Sequence, residues 1–211
     1  MGLTLTEESR VEEARSRESE RGNGRATPPR LSTFRLLGRP RRIHGHLPLG
    51  VLSLIIARPT FSSTLLGAGF VLVGMVLRMW AAGFLEKGGQ LCVDGPYRYL
   101  RHPLYLGSLV AAIGFTIMMH VIWGWVIIFP LFTVLYALQL IDEERHLRAV
   151  YGEAHGVFAR AVPMLVPRPG KRGAAQGRRW ALARVSANRE HWHALVTLGF
   201  AVLFFVRTWV Q

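Results

Sequence analysis

The sequence has one cysteine, Cys92, in 211 residues. That excludes an internal disulfide and a zinc site built from several cysteines. Cys92 is expected to be a plain small residue in a partly buried turn. Charge is scarce as well. Only 18% of the residues are Asp, Glu, Lys or Arg, and they are segregated. The windows 61–77, 104–119, 121–141 and 194–206 carry no charge at all. Each approaches the ~20 apolar residues needed to cross ~30 Å of hydrocarbon. A soluble core would show amphipathic stripes instead. Acidic residues are few, 13 against 26 basic, for a net charge of +13. The basic residues lie between the apolar runs and not on one soluble face, so no nucleic-acid partner is expected. No apolar run precedes Leu47, so no secretory signal is expected.

Half of the residues are hydrophobic, and the runs predict an all-α, polytopic integral-membrane helical bundle of about five transmembrane helices. Residues 1–45 hold mixed Glu and Arg with Gly, Ser and Pro, and are expected to form a disordered cytoplasmic tail. The membrane domain is expected over 46–211. Its first segment, from about His46 to Ala57, is short for a full span. The second runs from about Thr60 to Gly83. Gly67, Gly69 and Gly74 in it would let helices approach closely, and Arg78 with Trp80 would mark its cytoplasmic end by snorkelling. The third runs from Pro103 to about Met119, and a tight turn at His120 leads into a fourth from about Val121 to Ile141. So short a connection makes these two antiparallel neighbours. The last segment covers about 193–210. Lys and Arg number ten in residues 1–46, three in 83–103 and ten in 142–192. By the positive-inside rule both long polar loops face the cytoplasm. They also favour contact with anionic lipid headgroups.

Two stretches carry candidate chemistry. GPYRYLRHPLYLG, residues 95–107, runs from a polar, aromatic loop into an apolar helix. Pro103 suits the first helical position, with His102 at the cap. The helix start favours an anionic group, and Arg98 and Arg101 could add charge-assisted bonds. Tyr97, Tyr99 and Tyr105 offer aromatic faces to a cation. The second stretch, Glu143-Glu144, places two carboxylates at the end of the fourth segment. Three acids at a helix C-terminus are unfavourable, an objection that weakens if the helix continues. Glu143 and His146 form one E-x-x-H pair, where a di-iron bundle needs two pairs and two further Glu. No metal is expected.

GPYRYLRHPLYLG followed by EERHLRAVYGEAHGVFARAVPMLVP resembles the isoprenylcysteine carboxyl methyltransferase family and its bacterial relatives, a group related to phospholipid methyltransferases. The resemblance covers about residues 60–170 and extends to LRMWAAGFLEKGG and NREHWHALV. It implies S-adenosylmethionine as cofactor, bound at the cytoplasmic side. The implied cofactor residues are Tyr97, Arg101, His102, Pro103, Leu104, Tyr105, Glu143 and Glu144, and less firmly the stretch from Gly89 to Cys92. His102, Glu143 and Glu144 are the candidates for general base. The implied partners are the bilayer and a lipid-like or amphipathic substrate entering from it. The implied location is the bacterial inner membrane, with the active site facing the cytoplasm. The eukaryotic prenylcysteine enzymes resemble one another in an Arg one turn before the Glu pair. Gln139 stands here instead, which counts against an isoprenylcysteine-type carboxylate as the acceptor. A membrane reductase using a nicotinamide cofactor and a non-enzymatic membrane scaffold are the alternative readings.

Overall fold

A computed structural model describes residues 46–86, 89–167, 173 and 175–210. The tail expected over 1–45 lies outside the described residues. Those described form helices and turns, with no strand among them. The helices are α1 (His46–Ile56), α2 (Phe61–Ala82), α3 (Pro103–Met119), α4 (Phe129–Ala161), α5 (Leu182–Ala187) and α6 (Glu190–Val210). Among the described residues, three stretches are long and apolar enough to cross a membrane by length and composition: α2, Gly124–Ala161 and α6. α3 is apolar but has 17 residues, and α1 has 11 residues, or roughly 16 Å at 1.5 Å per residue.

α2 begins at a reciprocal cap. The Thr60 hydroxyl accepts from the Ser63 N–H at 3.2 Å, and the Thr60 N–H donates to the Ser63 hydroxyl at 3.0 Å. It then packs antiparallel along α3 over two glycine pairs seven residues apart. A Cβ added at Gly114 would lie 2.6 Å from the Gly67 carbonyl, and one at Gly107 would lie 2.7 Å from that of Gly74. Absent side chains let the two backbones touch, the means by which helices associate where lipid removes the hydrophobic drive. Gly69 differs from the expectation, because nothing lies within 4 Å of a Cβ built there. Gly114→Ala should therefore lower the melting temperature, through roughly 1–3 kcal/mol of overpacking, while Gly69→Ala should not. Equal melting curves for the two variants would remove the glycine pairs as the hairpin's seam.

One end of the bundle is closed by apolar packing among Ala57, Val71, Met118, Met119, Ile128, Ala201 and Phe204. There His120 turns the chain with φ 49°, and Arg58 N–H donates to the Met119 carbonyl at 2.9 Å. Arg207 of α6 reaches the last carbonyls of α1, with Nε 3.0 Å from Ala57 O, as suits a cation at a helix C-terminus. The entry to α4 is a π-helical turn, Gly124–Ile128. Pro130 supplies the cause: it lacks an N–H and its ring crowds the carbonyl four residues back, so the turn widens.

The opposite end of the bundle holds the polar loops. α4 does not stop near Ile141; it runs to Ala161, broken only at Gly152 with φ 52° and ψ −122°. Glu143 and Glu144 are thus mid-helix and not at a C-terminus. Residues 176–178, past α4, lie against Asp94 of the preceding loop. Asp94 is buried, and its carboxylate accepts the N–H groups of Gln176, Gly177 and Arg178. Asn188 donates to the carbonyls of Ala82 and Leu85 at 3.0 and 2.8 Å.

Candidate functional site

α3 starts where the loop from the 3-10 turn Gly95–Arg98 meets α4. Pro103 is its first residue and is buried. His102 takes the cap position, yet its ring makes no cap hydrogen bond. It turns to Glu144 instead, with Nε2 2.6 Å from Oε1. The same oxygen accepts Nε of Arg101 at 2.9 Å. Arg101 also donates to the carbonyls of Ala159 and Val162, at 2.8 and 3.1 Å. The backbone seals the junction: the N–H groups of Arg101 and His102 bond the carbonyls of Pro163 and Met164. Two residues from the loop and one from α4, 42 residues apart in the chain, thereby share one carboxylate.

The bond between His102 and Glu144 takes the place of a side-chain cap at this helix start. It also separates the Glu pair, because the described hydrogen bonds of Arg101 and His102 to the pair go to Glu144. Glu143 is half-buried beside it. Arg101 and Arg98 both bond protein groups: Arg98 Nε donates to the Gly173 carbonyl at 3.2 Å. Tyr105 packs edge-on against His102 at 5.5 Å. It continues a row of rings through Tyr136, at 4.9 Å, to Phe132 on α4. The site therefore passes directly into aromatic surface within the apolar part of α4.

Tyr97 is buried against Ala81 and Cys92, with Leu104 packed on the same cluster. Its hydroxyl has no hydrogen-bond partner, and burial pushes its pKa well above that of an ordinary phenol. Tyr99, by contrast, is exposed. Cys92 is buried and its thiol donates to the Phe84 carbonyl at 3.3 Å. Burial raises its pKa as well, so it has the environment of an inert thiol. The Gly89 carbonyl accepts the Tyr151 hydroxyl of α4 at 2.8 Å, which brings the 89–92 stretch beneath the same helix.

Three participants were missed in the sequence. Arg78 does not snorkel. It forms a two-pronged pair with Glu190 of α6, with contacts of 2.8 to 3.1 Å. It also donates to the Leu104 carbonyl at 3.3 Å and to the Ser108 hydroxyl. An ionisable residue inside an apolar run was itself the signal that a partner should be sought. Tyr136 was hidden in an apolar run. His155 lies one turn past Gly152 and is 3% exposed. Only the backbone of Gly152, in a region that L side chains avoid, brings it round to face Glu144.

These features define a helical membrane protein with a buried, charged and aromatic site at one end of the bundle. Residues 62–154, a little under half of the chain, match a family model described as phospholipid methyltransferase. The matched stretch includes α2 from Ser62, the loop, α3 and α4 as far as Ala154. The cobalt-zinc-cadmium resistance protein CzcN of Cupriavidus metallidurans is 29% identical over 106 residues, 49% of this chain and 47% of that protein. The methanethiol S-methyltransferase of Crocosphaera subtropica is 39% identical over 77 residues, 36% of this chain and 29% of that one. The phosphatidylethanolamine N-methyltransferase B of Dictyostelium discoideum is 27% identical over 109 residues, 46% and 54% of the two chains. The chain thus spans about half the length, or less, of these curated relatives. No solved structure matches it.

Proposed function

We propose that this protein is an integral-membrane, S-adenosylmethionine-dependent methyltransferase acting on a lipid-like or amphipathic acceptor. The observation that carries the reading is the convergence of Arg101 and His102 on Glu144 within the stretch that matches the phospholipid methyltransferase family model. The cofactor would supply an electrophilic methyl group on a sulfonium, together with a carboxylate and ribose hydroxyls to be recognised. The residues present suit those parts. Tyr97 carries a buried hydroxyl with no partner, and Oε2 of Glu144 accepts no hydrogen bond among the described residues. Tyr97 and Tyr105 offer ring faces to a cation. Pro103 and Leu104 open α3, whose positive end suits a carboxylate. Glu143 and Glu144 are acceptors for hydroxyl or ammonium groups.

Within this reading Arg101 positions the site. It fixes Glu144 against His102 and ties both to the end of α4. The helices exclude water, and the enzyme's main contribution is to align acceptor and methyl donor. The Arg and Lys residues near the site favour the cytoplasmic face of the membrane, and we read that membrane as a bacterial inner membrane. The residue at Gln139 favours an acceptor other than an isoprenylcysteine-type carboxylate. Calorimetry on the purified protein in nanodiscs tests the assignment. Saturable binding of S-adenosylmethionine or its demethylated product is expected. Binding of a reduced nicotinamide dinucleotide, with neither of these bound, would make the protein a reductase.

A further inference from the structure

His155 has a singular environment among the described residues. It is 3% exposed, and neither ring nitrogen has a hydrogen-bond partner. A buried imidazole without partners forfeits hydrogen bonds that water would supply, so it calls for an explanation. Its Nε2 lies 3.7 Å from Oε2 of Glu144, too far for a hydrogen bond. Oε2 is the oxygen that Arg101 and His102 leave open. Arg101, His102 and Arg148 are the other charged or titratable groups that act on the ring. Glu144 therefore stands between two imidazoles. One is bonded to it, and one is held just beyond bonding reach with its second nitrogen vacant.

We propose that His155 is the proton acceptor of methyl transfer, and that the acceptor substrate is accordingly one whose nucleophilic atom carries a proton, a thiol or an amine. This rests on the methyltransferase reading of the same site. A carboxylate acceptor is ionised at neutral pH and needs no base, whereas a thiol or an ammonium must lose a proton before it attacks. Nδ1 of His155 takes that proton. The lone pair left on sulfur or nitrogen forms the new bond to the methyl carbon. The bond from that carbon to the sulfonium breaks, and its electron pair stays on the departing thioether sulfur. The imidazolium so formed points Nε2–H at Oε2 of Glu144, and a small closure of the 3.7 Å gap makes a charge-assisted bond. A carboxylate behind an imidazole sets the tautomer and stabilises the cation in the same manner in hydrolytic triads. The proton then passes to water when the product leaves.

The test uses the full chain in nanodiscs with decanethiol, decylamine and decanoate as acceptor probes. His155→Gln should lower transfer to the thiol or the amine by about 10²–10⁴-fold, the usual contribution of a general base. Its S-adenosylmethionine affinity should stay within about twofold of wild type. His155→Ala should regain transfer on addition of free imidazole, which separates a missing base from a folding defect. A second readout is the pH profile: kcat for the active probe should fall at acid pH in wild type as the ring protonates, and this limb should be absent in His155→Gln. Undiminished transfer in His155→Gln overturns the proposal. So does an acid limb that is unchanged in His155→Gln, or transfer to decanoate and to neither other probe. Loss of cofactor binding in His155→Gln overturns it too, by making His155 part of the cofactor wall. A wild-type protein that binds no S-adenosylmethionine fails the methyltransferase reading itself, and the proposal falls with it.

Discussion

Glu144→Gln should weaken S-adenosylmethionine binding about 10- to 150-fold, and Glu143→Gln should weaken it less. The size follows from losing charge-assisted hydrogen bonds worth roughly 1.5–3 kcal/mol. The asymmetry follows from geometry. One oxygen of Glu144 holds Nε of Arg101 at 2.9 Å and Nε2 of His102 at 2.6 Å, and its other oxygen faces inward towards His155. The substitution also leaves Arg101, 10% exposed, beside a neutral amide, so the melting temperature should fall as well. His102→Ala distinguishes the two effects. It removes a ring but leaves the pairing of Arg101 with Glu144, and should lower affinity with a smaller loss of stability. The measurement is calorimetry beside a melting curve for each variant. Wild-type affinity in folded Glu144→Gln would remove this carboxylate from the cofactor site.

A comparably large effect is expected at the second charged junction. Arg78 and Glu190 have side chains 17% and 7% exposed. Removing one member of a buried pair leaves the other charge without compensation, at a cost of about 3–5 kcal/mol. Glu190→Ala should thus unfold the protein at a markedly lower temperature. The double variant Arg78→Met with Glu190→Met should recover most of the loss, since replacing a buried pair by apolar residues is often neutral. Arg78 also holds the Leu104 carbonyl, so the pair joins α2 and α6 to the first turn of α3. The single variant should therefore weaken cofactor binding without touching the cofactor. A Glu190→Ala protein that melts with wild type would show that Arg78 reaches water or headgroups once released.

The pattern of apolar runs determined most of the architecture. Charge-free windows mark α2, α3, the start of α4 and α6, and the one-residue link at His120 forces a hairpin. The chemistry of the loop was legible for a related reason. Arg-His-Pro at a helix start and a Glu pair inside a membrane protein are costly unless something engages them. The extent of α4 was not legible. Polar residues past Ile141 read as a loop, but helix propensity carries the backbone through DEERHLRAVY, and only contact with Arg101 and the 163–164 backbone shows why it stays folded.

What the tertiary structure alone decided is which charges meet. Sequence gave Arg78 an interface and Glu190 no role, because residues 112 positions apart leave no local trace of their pairing. Glu143 and Glu144 are indistinguishable in sequence, yet a 100° step around a helix turns one to His102 and the other aside. The seam between α2 and α3 chose Gly67 and Gly74 over Gly69 by the same rotation. His155 needed the most. Its position depends on the positive φ of Gly152, and a helix that continued straight would have carried it past Glu144.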